Sequence, residues 1–181
     1  MMDLRILILL AVFVFVYIGS RRGFSLELIS SAGILLAMFT LHQFDALIRN
    51  ELLSGGSAGL HLLVQVLLFT GIVSAAYHTR AVIGSRLWAR VTGERLNQRS
   101  QFQEGILGGL IGAVNGYLIS GSVWYYIHMN DYPLWAEGAI NVNPEWTQWL
   151  PHYLLVGGPT GSGDVFTLMV VGAFLIVLIV I

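Results

Sequence analysis

Five runs of roughly 20 apolar residues, set apart by short polar or Gly/Pro-rich stretches, leave this chain few folds to choose from. A helix of that length crosses a ~30 Å hydrocarbon layer. A soluble domain of 181 residues could bury one core, but it could not hide five such helices at once. Charge agrees: only 10% of residues are charged, against about 25% in a typical soluble domain. Inside lipid every backbone N–H and C=O must be paired within the protein, and a helix does this by itself. The expected fold is all-α: a polytopic integral membrane protein with four to five transmembrane helices plus a surface amphipathic helix.

The spans fall at about residues 4–20, 24–47, 59–77 and 103–126, within a membrane region covering 1–127. The first run resembles a signal peptide, but Arg21 and Arg22 flank it as a stop-transfer signal and a second run follows at once, so it reads as a retained helix. Between the third and fourth spans the character changes. Ile83, Leu87 and Val91 recur four apart, with Arg86, Arg90 and Glu94 on another face, which predicts an amphipathic helix over about 80–96 lying on the membrane surface. Residues 128–163 form an aromatic, Pro- and Gly-rich segment. In it Asn143 and Pro144 suit a helix start, and Pro151 must kink or end that helix. Residues 164–181 make a fifth apolar run, about 25 Å long as a helix and barely a crossing.

Arg21, Arg22, Arg80, Arg86, Arg90, Arg95 and Arg99 fall in the two connections on one side, and only Arg5 and Arg49 on the other. The positive-inside rule therefore places the N-terminus and the Trp-rich segment outside and the Arg-rich connections in the cytoplasm. The basic residues form no stripe of the kind that binds nucleic acid. The chain has no cysteine, so disulfides, thiolate nucleophiles and Cys-ligated metals are excluded.

In the fourth span Gly105, Gly108, Gly109, Gly112 and Gly116 include three pairs four residues apart. Missing side chains let another backbone approach closely, a main source of helix association in lipid. That groove is filled by the chain's own helices, or by a partner chain or lipid. Asn115 sits in the middle of the same span and must face protein or water. Glu27 lies one turn inside the second span. It reads first as an interfacial carboxylate paired with Arg21 and Arg22, and second as part of a proton or ion relay.

Arg22-Gly23-Phe24 with Glu27 shortly after, then a basic segment, then Gly105-Ile-Leu-Gly108-Gly109-Leu-Ile-Gly112-Ala-Val-Asn-Gly116, resembles the colicin V production protein (CvpA) family over about residues 5–127. Where that family has Arg before the last Gly of the span, this chain has Asn115. The fifth apolar run also lies beyond the usual pattern. The resemblance implies a bacterial inner-membrane protein linked to export or envelope functions, with no established enzymatic activity.

Other motifs carry less chemistry. Gly158-Pro-Thr-Gly-Ser-Gly163 copies the start of a phosphate-binding loop, but Asp164 and Val165 stand where Lys and Ser/Thr are required. It reads as a flexible linker. His42, His61 and His128 lie near the outer face without the tight spacing of metal sites. No cofactor is expected. The alternative, chlorophyll or haem on one of these histidines, would make the chain a small subunit of a pigment- or haem-bearing complex. No nucleophile or carboxylate pair suits an enzyme. The leading expectation is a non-catalytic scaffold or accessory subunit, packed through its glycine face against other membrane proteins or a second copy, with lipid around it. The alternative is a component of an export or transport pathway, which requires a polar path between helices involving Glu27 and Asn115.

Overall fold

The computed structural model describes residues 4–91, 98–136 and 144–180, and every regular element among them is helical. Four helices are long and apolar enough to cross a membrane: Leu4–Arg22, Phe24–Leu52, Ala58–His78 and Phe102–Met129. This is an all-α, multi-pass membrane fold. The helices are α1 (Leu4–Arg22), α2 (Phe24–Leu47), α3 (Ala58–Val91), α4 (Gln98–Met129), α5 (Pro144–Thr147), α6 (Pro151–Val156) and α7 (Asp164–Val180). Ile48–Leu52 widens the end of α2 into a π turn.

Chain direction alternates through α1 to α4. Gly19, Phe15 and Ala11 of α1 meet Gly108, Gly112 and Gly116 of α4 in turn, a steady antiparallel register. Arg5 of α1 lies 4.7 Å from the Trp146 ring, so the start of the chain and the Trp-rich segment share one side.

Helix α2 is the centre of the bundle, packed against α1, α3, α4 and α7. It buries Glu27, Ser30, Ile34, Met38 and Leu41, residues three or four apart and therefore on one face. Ile34, Met38 and Leu41 join Phe69 and Leu118 in the core. Elsewhere the apolar side chains point outward: Phe13 is 74% exposed and Leu67 61%. Water would not tolerate such a surface, but hydrocarbon is its natural solvent.

Two expected boundaries move. No break separates a third span ending near Tyr77 from a basic helix starting near Arg80, because α3 runs unbroken from Ala58 to Val91. Residues 80–91 continue the span's own helix instead of opening a separate one on the surface; residues 92–96 of the expected helix lie outside the described residues. Hydropathy marks where lipid contact ends, whereas helical hydrogen bonding continues as long as the backbone allows. The fifth run does form a helix, α7, whose Phe166 is fully buried with its ring 6.1 Å from Phe39 of α2. Helix α7 runs 17 residues, Asp164–Val180, and four other helices among the described residues have the length and hydropathy of a crossing.

In the Trp-rich segment Pro144 begins α5 as expected, while Asn143 lies outside the described residues. Pro151 opens α6, where its missing N–H costs nothing. The glycine-rich stretch is not a loose linker throughout: Gly158–Thr160 form a 3-10 turn with Gly158 buried.

Candidate functional site

The site begins at the turn between α1 and α2. Gly23 has φ 85, a left-handed conformation that glycine adopts without steric cost. Its backbone lies directly on Gly108 of α4, where an added Cβ would come 2.8 Å from the Gly23 carbonyl carbon. A glycine at the start of a helix cannot supply a side-chain cap, and Gly23 makes none. The cap comes from α4 instead: the Phe24 N–H donates to Glu104 Oε2 at 2.9 Å, across 80 residues of sequence. A carboxylate there also matches the positive end of α2.

One turn into α2, Glu27 is completely buried. Arg22 Nη1 donates to its Oε1 at 2.8 Å and also reaches the Ser30 hydroxyl at 3.4 Å. The other oxygen, Oε2, accepts from Asn115 Nδ2 at 2.8 Å and from the Tyr77 hydroxyl at 3.3 Å. The Asn115 amide also donates to the Glu27 backbone carbonyl at 3.2 Å, and its oxygen accepts from the Ser31 hydroxyl at 2.7 Å. The Arg22 guanidinium lies 4.4 Å from the Tyr77 ring centroid. Burying an unpaired carboxylate would cost many kcal/mol; here every oxygen is met and the charge is balanced. One cluster thus ties the α1–α2 turn, α3 and α4 together.

A second polar cluster occupies the Trp-rich end. Asp45 pairs with Arg49 at 2.9 Å and accepts from Gln65 Nε2 at 2.6 Å. Buried Asn130 donates to Gln65 at 2.7 Å and accepts from Arg49 at 3.2 Å. Beside it His152 of α6 stacks on Tyr125, ring centroids 4.2 Å apart, with Nε2 3.4 Å from the Tyr126 hydroxyl. Its Nδ1 is buried without a partner. Burial, with His42 adding a smaller repulsion, pushes the His152 pKa down to about 3. Burial likewise raises the Tyr132 phenol above its usual value.

Between the two clusters the helices meet through Ile34, Met38, Leu41 and Phe69, all buried. The Ser122 hydroxyl, also buried there, has no partner. The interior therefore has polar groups at each end and an apolar middle, with no continuous polar path through it among the described residues.

Of the residues singled out from sequence, Glu27 and Asn115 are brought into direct contact. Arg22 is the pairing arginine; Arg21 is exposed, its guanidinium 5.6 Å from the Tyr17 ring. The side chains of Arg80, Arg86, Arg90 and Arg95 lie outside the described ones. The glycine face is occupied from within. A Cβ at Gly105, Gly109 or Gly116 would stand 3.3 Å from Ser20 O, 3.5 Å from Val16 O and 3.0 Å from Ala11 O; at Gly108 and Gly112 it would run into the carbonyls of Gly19 and Phe15. Helix α1 fills the groove, so this face is closed to a partner chain. His61 contacts Leu53 O at 3.2 Å, His128 contacts Tyr132 at 3.3 Å, and His42 lies against Gly163, so the three do not share a site. No group of three or more His, Cys, Asp or Glu comes together among the described residues.

Tyr77, Ser30, Ser31 and Glu104 did not stand out in the sequence. Spacing held a partial signal: Ser30 and Ser31 follow Glu27 by three and four residues, on the same helix face. For Tyr77 and Glu104 only the fold reveals the partnership.

No curated protein and no solved structure matches this chain. A profile of a family described as colicin V production protein matches residues 4–150. That stretch takes in all four crossing helices and the short helix α5 beyond them, and the chain belongs to the colicin V production protein family.

Proposed function

We propose that this chain is a non-catalytic inner-membrane component of a bacterial export or envelope pathway, and that the Glu27 cluster is its working part. One observation carries this reading: a fully buried carboxylate, charge-paired and hydrogen-bonded to three other elements, stands at the junction of α1, α2, α3 and α4. Ionisable groups within a membrane are costly, and they commonly mark function. Apolar packing alone could hold these helices, and replacing a buried ion pair by hydrophobic residues is often neutral or stabilising. The apolar plug at Ile34, Met38 and Leu41 argues for a device that shifts between packed states, not a standing channel. The expected scaffold role through the glycine face loses its surface to α1; any accessory role uses other faces. No cofactor and no catalytic chemistry belong to this reading. The Arg asymmetry supports an N-terminus outside and Arg-rich connections in the cytoplasm.

The family description ties the cluster to an assay, since it names colicin V production. Cells making colicin V and lacking their own copy are complemented with wild type, Glu27→Gln, or the charge-free pair Arg22→Met with Glu27→Leu. The double variant is expected to accumulate in the membrane like wild type yet fail to restore colicin V activity in the medium. Full restoration by that variant would show that the ion pair serves packing only, and the reading would fall.

A further inference from the structure

Helix α1 packs on α4, and α3 packs on α2. The gap left between α1 and α3 is a cleft of about 540 Å³, bridged by the Phe15 and Tyr77 rings at 6.2 Å. Phe15, Ile18, Val73, Tyr77 and Ile119 line it, with Arg22 and His78 where α1 and the third crossing end. Along the helix axes Arg22 to Phe15 and His78 to Thr70 are about 10 Å and 12 Å, against a leaflet depth of about 15 Å. The polar end coincides with the ends of two crossing helices, where headgroups lie. An apolar slot reaching about two-thirds of the way through a leaflet, with a cation at its mouth, has the shape and charge order of a lipid.

We propose that one anionic phospholipid occupies this cleft, its phosphate on Arg22 and one acyl chain between α1 and α3. Arg22 commits only Nη1 to Glu27 and Ser30. A guanidinium carries five donors, so Nε and Nη2 remain for phosphate oxygens, and the side chain keeps 22% exposure. Exposed His78 stands at the same mouth. Apolar side chains without neighbours on one side lose dispersion contacts, and an acyl chain restores them.

The purified full chain in mild detergent is titrated with phosphatidylglycerol and, separately, phosphatidylcholine of the same acyl chains, and bound lipid is counted by native mass spectrometry. One phosphatidylglycerol is expected to bind at least about fivefold tighter, the ratio corresponding to about 1 kcal/mol for one basic residue at a membrane surface. Ser74→Trp fills the cleft and should remove that lipid, while Arg22→Gln should bring the two lipids to equal affinity. Equal affinities for wild type, retention of the lipid by Ser74→Trp, or a second copy of the chain in place of lipid would each overturn the proposal. The readout is lipid rather than export, so it stands or falls apart from the pathway reading above.

Discussion

Alanine at Gly112 should loosen the bundle, whereas the same change at Gly71 should tighten it. At Gly112 the added methyl meets the Phe15 carbonyl and stands 3.0 Å from its carbon and 3.1 Å from Gly19 Cα. These are backbone atoms and cannot rotate aside, so α1 must retreat from α4. Dispersion is optimal near 3.5–4.0 Å, and a gap of 0.5–1 Å forfeits a quarter to a half of it. On the order of twenty atom pairs at about 0.15 kcal/mol each would then lose about 1 kcal/mol. Added to residual strain, this reaches the upper part of the roughly 1–3 kcal/mol typical of overpacking. Alanine's better helix propensity returns about 0.8–1 kcal/mol, leaving a net loss of about 1–2 kcal/mol. At Gly71 nothing lies within 4 Å of the added Cβ, so only the propensity gain remains. The two variants should differ by about 2–3 kcal/mol, a ratio of roughly 30 to 150 in the unfolding equilibrium. Reversible unfolding in mixed micelles, titrated with sodium dodecyl sulfate, measures both. If Gly112→Ala and Gly71→Ala shift the midpoint alike, α1 does not fill the α4 groove and the register is wrong.

Acidification should weaken the Trp-rich end. His152 binds its proton at pH about 3 in the folded chain but near 6.5 when unfolded. Between these values the unfolded state holds more protons, so stability falls as pH drops through that window, by up to about 1.4 kcal/mol per pH unit. His152→Phe keeps a ring over Tyr125 and should flatten the dependence between pH 6.5 and 4; an unchanged slope assigns it to other groups. Glu104→Ala removes the cap on Phe24 and should cost about 1 kcal/mol, read as faster amide exchange at Phe24; unaltered protection would refute the capping role. The chain has no cysteine, so single cysteines report topology directly. A membrane-impermeant maleimide should label Ser57→Cys in intact spheroplasts and Asn97→Cys only after permeabilisation, and the reverse pattern would invert the orientation.

Apolar length alone made the four crossings legible, because lipid admits few ways to satisfy a backbone. Glycine spacing marked a packing face on α4 but could not say what fills it. The steps from Gly19 to Phe15 to Ala11 in α1 match that face only once the two helices are laid antiparallel. Glu27 and Asn115 each stood out as intramembrane polar groups, yet 88 residues separate them and nothing local pairs them. Tyr77 was hidden for another reason: a tyrosine near the end of a span looks like any interfacial aromatic. Gln65 was legible as a polar residue inside the third span but not its partners, and Asp45 and Asn130 stayed unread because each is an ordinary helix-end residue until three helices converge.

The continuous helix α3 has a mechanical consequence. Its 34 residues span about 51 Å, well beyond a ~30 Å hydrocarbon layer. Tyr77, bonded to Glu27, lies near the end of the third crossing, and Val91 lies about 21 Å further along. A tilt of about 10° at that fulcrum would swing the far end by ~4 Å, from the ~1.5 Å rise per residue. A change in the Tyr77–Glu27 contact that tilted α3 would therefore be magnified at the far end of the helix, whose sequence carries Arg80, Arg86 and Arg90.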